Sequence, residues 1–426
     1  MLSTFKNAWK IPELRKKMLF TLFMLLVYRL GSHITVPFMN KEAIAQLFSG
    51  NNAGVLTFLD MMAGGNFSNF TIFAANITPY ITASIVLQLL TIAIPSLESL
   101  AKEGDTGRKK IAKYTRYLSI AIALVQAIGF TFVLFKDAVL AHTLLQKLVV
   151  ILSIVAGTAL LIWIGEQITE KGIGNGISII IFAGIIVRMP RDLYQSFLLV
   201  KMGRVHWAFL ALYIVLAIAI VFFVVILNEG ERRIPVQYAK RVVGRKMYGG
   251  QSTHIPIKVL MTGVMPIIFA NSLLAIPSTL IMFTGPGKFQ DFVIKWLTPQ
   301  GGPGIVIYVL LSIVLIIFFT FFYTTIQFNT VEYSKNLQQN GGFIPGIRPG
   351  KPTSDYLGRS VNRLVLPGAI ALAILTVLPT ILTRVAHLRF NYGGTSILIV
   401  VGVILETARV LEQQMLMRHY KGFLKK

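Results

Sequence analysis

The sequence of 426 residues contains no cysteine, which excludes a disulfide-stabilised scaffold and any metal or redox centre built on thiolates. It is also poor in charge: only 14% of its residues are charged, and 17 acidic residues stand against 41 basic ones. A soluble nucleic-acid-binding protein would carry nearer to about 25% charged residues. With 54% hydrophobic residues and a mean hydropathy of +0.69, the composition predicts instead a polytopic membrane protein with basic cytoplasmic loops.

Sequence motifs typical of enzymes are missing as well. No G-x-x-x-x-G-K-[ST] occurs, which excludes nucleotide hydrolysis through a P-loop. The six histidines show no metal-ligand spacing. The glycine-rich stretch 172–176 follows an apolar helix rather than a strand, so it is interpreted as a tight loop and not as a phosphate cradle. The sequence therefore offers no P-loop, no spaced metal ligands and no phosphate cradle.

Apolar runs of about 20 residues, the length needed to cross a bilayer, occur ten times. The first follows a basic flank, but it is too long for a signal peptide and no cleavage pattern follows it, so it is interpreted as a retained helix. Ionisable residues inside the spans are few, Arg29 and Glu406 being the clearest, which argues against a proton- or ion-coupled carrier. The predicted spans are roughly 18–38, 71–95, 115–135, 145–165, 177–199, 206–228, 258–283, 304–327, 364–386 and 395–412.

The distribution of Lys and Arg predicts the orientation in the membrane. Of the 41 basic residues, 29 are assigned to the side that holds the N-terminal segment, alternate loops and the C-terminal tail, 11 are assigned to the opposite side, and Arg29 lies within the first span. The positive-inside rule then puts both termini in the cytoplasm, which requires an even number of spans. The two longest loops, about 228–258 and 328–363, fall on this side, and their length suggests a binding surface. Ten spans also permit two inverted sets of five.

A short apolar stretch lies between the first two spans, at 55–63. It is too short to cross the membrane, it carries Asp60 near its middle, and Gly64, Gly65 and Asn66 interrupt it. It could be a re-entrant helix, which must be buried in protein or line a cavity. It could equally be an interfacial helix on the outer surface, and the sequence leaves both interpretations open.

Two of the spans carry isoleucine at every fourth position, which places these side chains on one helix face. Such stripes usually face lipid or pack in the core, and composition alone does not favour another role. Pro79 in the second span also removes an intrahelical hydrogen bond. The isoleucines are Ile77, Ile81 and Ile85 in the second span and Ile177, Ile181 and Ile185 in the fifth.

Five strings, in order along nearly the whole chain, resemble signature stretches of the SecY family, the channel subunits of the bacterial protein-translocation machinery. The strings are NITPYITASIVLQ at 76–88, GIGNGISIIIFAG at 172–184, QSTHIP at 251–256, GIRPG at 346–350 and GGTS at 393–396. Because several independent strings occur in register, the resemblance is far more specific than a single motif would be.

The resemblance implies an all-α polytopic membrane protein of the bacterial cytoplasmic membrane. Its ten transmembrane helices would form two inverted five-helix halves that close like a clamshell around an hourglass pore, with a re-entrant plug helix. The N-terminal half would comprise residues 1–200, with spans 1–5 and the plug at about 55–66. The C-terminal half would comprise residues 201–426, with spans 6–10 and the two docking loops.

The resemblance also implies roles for individual residues. The pore ring would consist of Ile77, Ile81, Ile181, Ile185, Ile268 and Ile399. The plug would include Val55, Leu56, Phe58, Leu59, Asp60, Met61, Met62, Gly64, Gly65 and Asn66. The lateral gate, between the second and seventh helices, would contain Thr82, Gln88 and Asn271. Docking of SecA or the ribosome would involve Arg348, supported by Lys240, Arg241, Arg245 and Lys246.

The implied function is that of a passive protein-conducting channel driven by the motor ATPase SecA or by the ribosome. The resemblance thus implies that the protein is not an enzyme and has no catalytic residues, metal site or cofactor. It would pass unfolded secretory polypeptides across the membrane and release membrane helices sideways. SecE, SecG, signal-sequence-bearing polypeptides and membrane lipid are the further implied partners. Two alternatives remain: a secondary transporter of inverted repeats, which would need convergent polar ligands at mid-membrane, and an insertase or scaffold without a through-pore.

Overall fold

The computed structural model of the chain describes residues 2–48, 60, 64–203, 206–238, 241–243, 246–248, 252–284, 287–298, 304–385 and 394–423. Most of these residues are helical. The elements up to residue 201 are α1 (Leu2–Lys10), α2 (Pro12–Gly31), α3 (Lys41–Leu47), α4 (Thr78–Ala93), α5 (Pro95–Lys102), α6 (Asp105–Gly129, continued by a π-helical turn Phe130–Leu134), α7 (Leu144–Lys171) and α8 (Gly176–Lys201).

The remaining elements include a small amount of sheet. They are α9 (Trp207–Glu229), β1 (Glu231–Tyr238), β2 (Arg241–Val243), β3 (Lys246–Tyr248), β4 (Ser252–Lys258), α10 (Met265–Thr284), α11 (Lys288–Trp296), α12 (Ile305–Gln327), α13 (Thr330–Gln339), β5 (Gly342–Phe343), α14 (Lys351–Val385) and α15 (Gly394–Phe423).

Polar side chains fix where several helices begin. Thr143 and Gln146 form a capping box at the start of α7, which satisfies backbone N–H groups that have no partner inside the helix. The Asn175 side chain accepts hydrogen bonds from the N–H groups of Ile177 and Ser178 at 3.1 and 3.3 Å, and so starts α8. The glycine-rich stretch 172–176 is therefore a tight loop between two long helices, as the sequence predicts.

Within the described residues, each of the ten predicted spans contains a helix. Five helical stretches are long and apolar enough to cross a membrane by themselves: Asp105–Leu134, Leu144–Lys171, Trp207–Glu229, Ile305–Gln339 and Lys351–Pro379. Helix α4 reaches that length only together with α5, and the pair is bent by 102°. The helices α2, α8 and α15 carry ionisable residues along their length, and α10 is a shorter apolar helix.

Several predicted span boundaries differ from the helix ends, and three of the differences have a local structural reason. The second span begins at Thr78 rather than at 71, because the preceding residues form turns and Asn76 has a positive φ of 53°. The seventh begins at Met265 rather than at 258, since the strand β4 extends to Lys258 and a turn follows it. The ninth begins at Lys351 rather than at 364, so the predicted loop 328–363 is largely helical.

A small antiparallel sheet joins the two long loops. Strand β1 pairs with β4 from Glu231 opposite Lys258 to Gln237 opposite Ser252. Its other edge pairs with the short strand β5 of the second loop. Ile234 and Val236 alternate with exposed residues along β1 and pack in a separate hydrophobic cluster with residues of α13 and α14. The two loops therefore form one structural unit.

The largest hydrophobic cluster lies between the long helices. It takes buried residues from α2, α4, α7, α8, α9, α10, α12, α14 and α15. A second cluster is built around edge-to-face aromatic contacts of Phe67, Phe70, Phe130 and Phe135, the closest of which joins Phe70 and Phe135 at 4.6 Å between ring centroids. Arg29 and Glu406 lie on exposed surfaces of their helices, outside both clusters.

Candidate functional site

The six predicted ring isoleucines all belong to, or pack against, the largest hydrophobic cluster. Ile77 and Ile81 lie at the start of α4, Ile268 on α10 and Ile399 on α15, and each is at most 8% exposed. Ile181 and Ile185 on α8 are partly buried against the same cluster. Four helices thus contribute a bulky, uncharged and branched side chain to one region of the molecule. Such a surface offers water no hydrogen-bonding partner.

Of the predicted plug residues, Val55, Leu56, Phe58, Leu59, Met61 and Met62 lie outside the described residues. Asp60 is described and is only 4% exposed. Its Oδ1 atom accepts hydrogen bonds from the backbone N–H groups of Phe67 at 3.1 Å and Ser68 at 2.7 Å. Its Oδ2 atom accepts from Nη1 of Arg188 on α8, at 2.9 Å. A largely buried ion pair therefore joins this segment to a helix far away in the sequence.

The turn that follows Asp60 packs closely on the same helix. Gly64 has a φ of +65°, and a Cβ atom at this position would lie 2.9 Å from Cα of Gly184. No side chain fits there without a backbone shift, so glycine is required both for conformation and for contact. Asn66, which is also buried, donates a hydrogen bond of 3.4 Å to the Tyr28 hydroxyl on α2. This bond is a second contact of the segment, and it is made with α2 rather than with α8.

The predicted gate residues lie on two helices that pack together. Thr82 and Gln88 are on α4, and Asn271 is on α10; all three are half-buried. Gln88 donates a hydrogen bond to Ser84 Oγ at 3.4 Å, and its Oε1 accepts a hydrogen bond from the Tyr323 hydroxyl on α12. A polar bond between side chains therefore connects α4 to α12.

Aromatic packing holds Tyr323 in place for that bond. Its ring stacks on Phe269 of α10, with 4.8 Å between centroids and 14° between planes. This contact links α10 to α12, while the hydroxyl of the same side chain reaches α4. Tyr323 was not among the predicted gate residues, because its partner lies 235 positions away and no local pattern marks it.

The predicted docking residues fall on the unit formed by the two long loops. Arg348 is exposed, and the turn that carries it is held by hydrogen bonds: Thr353 Oγ1 donates to the Arg348 carbonyl at 2.8 Å, and Ser334 Oγ donates to the Gly350 carbonyl at 2.6 Å. Arg241 and Lys246 lie on the antiparallel strands β2 and β3. Lys240 and Arg245 lie outside the described residues.

Electrostatics on this unit are those of a solvated basic surface. On β1, the Arg233 guanidinium donates to Glu231 at 2.7 Å and lowers the pKa of that carboxyl. Burial lowers the pKa of Lys258 at the end of β4. Arg233 therefore has an acidic partner, whereas the Arg348 guanidinium is exposed on a fixed turn and can meet a partner molecule.

Comparison with known proteins gives matches over most of the chain. The sequence model of the SecY family matches residues 71–408. The protein translocase subunit SecY of Thermotoga maritima is 44% identical over 440 residues, which cover 100% of this chain and 98% of the relative. The protein translocase subunit SecY of Aquifex aeolicus is also 44% identical, over 99% of both chains. A solved protein-conducting channel matches with a TM-score of 0.64 at 20% identity, over 94% of this chain and 93% of that chain.

Proposed function

The chain belongs to the SecY family of protein translocase subunits, and from this premise we propose that its isoleucine cluster is the constriction of a polypeptide-conducting pore. Family membership places the chain among multi-pass membrane proteins that act as channel subunits rather than as enzymes. The observation that supports the pore is the convergence of six isoleucines from α4, α8, α10 and α15 on one cluster.

An apolar constriction suits a channel whose cargo has no fixed sequence. A passing polypeptide presents every type of side chain, so a pore lined with specific polar ligands would hold some segments and reject others. Isoleucine makes only non-directional contacts and can fit around varied chains. When no chain is present, the same apolar surface dewets and holds back water and ions. Ile77 and Ile81, spaced by four, stack two of these side chains along one helix face.

The segment around Asp60, Gly64, Gly65 and Asn66 is proposed to be the plug on the outer side of the ring. Its close packing on α8, where the ring residues Ile181 and Ile185 also lie, supports this assignment. The burial of Asp60 and Asn66 favours the re-entrant interpretation over an interfacial helix, because an interfacial helix would expose its polar side chains to water.

The seam between α4 and the pair α10 and α12 is proposed to be the lateral gate. Thr82, Gln88 and Asn271 would line it, and the Gln88–Tyr323 hydrogen bond would hold it closed. Polar residues at a seam that faces lipid reduce the gain from closing it. A hydrophobic signal helix can then replace helix–helix contacts with its own and open the seam sideways.

The unit formed by β1, β4 and β5 with α13 is proposed to face the cytoplasm and to dock SecA or the ribosome. A related structure, Sec61, was solved in a canine ribosome–channel complex from the endoplasmic reticulum. The exposed Arg348 supports a docking role, together with Lys240, Arg241, Arg245 and Lys246, because ribosomal RNA phosphates and acidic protein surfaces attract positive charge. SecE and SecG are the further proposed partners, and both termini would lie in the cytoplasm.

The proposed halves, 1–200 and 201–426, divide the chain where α8 ends at Lys201 and α9 begins at Trp207. A secondary transporter built from inverted repeats remains the alternative. It would need polar ligands that converge at mid-membrane, whereas α4, α8, α10 and α15 contribute the six predicted ring isoleucines to one hydrophobic cluster. That difference favours the channel.

Disulfide crosslinking to an arrested polypeptide tests the pore assignment. Because the chain has no native cysteine, each engineered cysteine is its only thiol. Ile81→Cys and Ile268→Cys would be combined, one at a time, with a secretory substrate that carries a single cysteine and is arrested during translocation. Disulfide formation is expected at both ring positions. Ile218 on α9 is 65% exposed, so Ile218→Cys is the matched control and should form no disulfide with the substrate. Equal yields at all three positions, or no yield at the ring, would overturn the pore assignment.

A further inference from the structure

Arg188 is a basic residue on an otherwise apolar stretch of α8 that the proposed pore does not use. Its side chain is 16% exposed, and the side chain of its partner Asp60 is 5% exposed. The stem of Arg188 also covers Gly65, where an added Cβ would lie 3.8 Å from Arg188 Cδ. The arginine thus lies over the turn that follows Asp60 and bonds to the carboxylate beneath it.

The position of Arg188 on α8 relates it to the ring. Gly184 and Arg188 are four residues apart and share a helix face, while Ile181 and Ile185 lie three residues before each of them. Arg188 is therefore about 4.5 Å further along the helix axis than Ile185. Along this face of α8 the order is Ile181, Gly184, Ile185 and Arg188, so the close glycine contact lies between the two ring side chains and the arginine follows both.

The hydrogen bonds of Asp60 divide into two kinds. Its Oδ1 atom and its carbonyl oxygen accept from backbone N–H groups of Gly65, Phe67 and Ser68, which follow it closely in the chain. These bonds are local to the turn 60–68. The bond from Arg188 comes from a different helix, 128 positions away, and has to break if the segment leaves α8.

We propose that Arg188 is a positioning residue for the plug, and that its ion pair with Asp60 is a releasable latch that holds the plug over the closed ring. This inference rests on the proposed function, since it requires that the segment moves. The bonds from the backbone N–H groups do not depend on Arg188, so breaking the ion pair alone leaves the Asp60 carboxylate hydrogen-bonded. A latch of this kind fixes the closed position without preventing release.

The labelling rate of a buried cysteine measures how often the latch opens. Asn66 is 2% exposed, so Asn66→Cys in this cysteine-free chain reports departure of the segment from its site. The full chain would be reconstituted with its translocon partners and treated with a water-soluble maleimide, idle and with an arrested substrate. In the otherwise unaltered background we expect slow labelling when idle and fast labelling when engaged.

Arg188→Gln and Asp60→Asn should each raise the idle rate by roughly 10- to 100-fold, because removing one partner of a largely buried ion pair strands the other. Asp60→Asn retains an oxygen for the N–H groups of Phe67 and Ser68, so the turn itself should persist. The double variant should label no faster than the faster single variant. Arg188→Lys keeps the charge and should stay closer to the unaltered rate. The engaged rate should be the same in all of them, which a general loss of folding would not give.

Arg191→Gln is the control, since it removes an exposed arginine three residues further along the same helix and should leave the idle rate unchanged. Idle rates unaltered by Arg188→Gln and Asp60→Asn, multiplying effects in the double variant, or an equal effect of Arg191→Gln would each overturn the latch. If idle and engaged channels label equally in the unaltered background, the plug assignment itself is wrong. The two failures are therefore distinguishable.

Discussion

The hydrogen bond from Tyr323 to Gln88 joins α12 to α4 across the proposed gate, and Tyr323→Phe is the smallest change that removes it. The substitution deletes one hydroxyl and keeps the aromatic ring, so the stack on Phe269 at 4.8 Å is retained. Larger changes such as Tyr323→Ala would also create a cavity of the kind that costs about 3–5 kcal/mol. Phenylalanine therefore isolates the polar link from the packing.

The expected magnitude follows from the environment of the two groups. A neutral hydrogen bond contributes about 1 kcal/mol net, and more is lost when the remaining partner stays buried without a bond. Tyr323 is 7% exposed, but Gln88 is half-buried and can regain water at its oxygen. We therefore expect the closed gate to lose about 1 kcal/mol relative to the open gate, which corresponds to roughly a fivefold shift in that equilibrium.

The assay is the export rate of a reporter with a weakened signal sequence, because opening of the gate limits the export of such a reporter more than that of one with a strong signal sequence. Tyr323→Phe should raise its rate several-fold and leave export through a strong signal sequence nearly unchanged. Tyr308→Phe, which removes a buried hydroxyl nearer the start of α12, is the control. Adding Gln88→Met to Tyr323→Phe replaces both hydrogen-bonding partners by apolar groups. The closed gate of the double variant should be destabilised by less than the sum of the two single-variant effects. Additive effects, or equal stimulation by Tyr308→Phe, would refute the reasoning.

Three further predictions concern the ring, the docking turn and the plug. Ile81→Asn or Ile268→Asn places an amide in the apolar cluster, which costs about 1–3 kcal/mol of stability if the amide finds no hydrogen-bonding partner. We therefore expect ion leak through the idle channel and export of substrates with weaker signal sequences. Unchanged ion leak and unchanged signal-sequence selectivity in both variants would contradict the ring assignment. Arg348→Glu should weaken SecA binding and SecA-dependent export, and Lys351→Glu, at a nearby exposed position, is the control. Normal binding and export in Arg348→Glu would mean that Arg348 only helps to orient the chain in the membrane. Gly64→Ala should raise the Asn66→Cys labelling rate of the idle channel far more than Gly184→Ala. A Cβ atom at Gly64 would lie 2.9 Å from backbone at a φ of +65°, whereas a Cβ atom at Gly184 would lie 3.3 Å from the Tyr28 hydroxyl and 3.6 Å from Gly64 Cα. Equal effects would mean that the close contact is not required.

Hydropathy and the signature strings were sufficient to predict the family and the helical fold, both of which the comparisons confirm. Hydropathy failed at helix ends that project beyond the apolar run. Helix α14 begins at Lys351 because the polar stretch before Val365 continues as an amphipathic helix that packs Leu357 and Val361 against the sheet. A hydropathy window averages that stretch into a loop, while a helical period of 3.6 would have shown its apolar face.

Long-range pairing is what the sequence could not reveal. The alternation of Ile234 and Val236 is readable as a strand, but its pairing with β5 joins residues 237 and 343 through only two residues of the second loop. Arg188 counted only as one of the basic residues on the outer side, although its position inside an apolar helix was itself a sign of a buried partner. Its partner Asp60 stood out in the sequence for the same reason, yet nothing local connects the two.

The polar contacts within the proposed halves differ in kind from the one between them. Within the C-terminal half, the Arg409 guanidinium donates to Asn228 and Glu229, and these charge-assisted bonds connect α15 to α9. Arg116 and Glu166 form a two-point ion pair between α6 and α7 within the N-terminal half. The Tyr323–Gln88 bond, by contrast, is neutral and single, and it joins the two halves. Because charge-assisted bonds are about twice as strong as neutral ones, and because lipid supplies no hydrophobic force to hold helices together, we expect the polar bond at the seam to oppose separation less than the polar bonds within each half. A channel built this way would open between α4 and α12 before either half came apart.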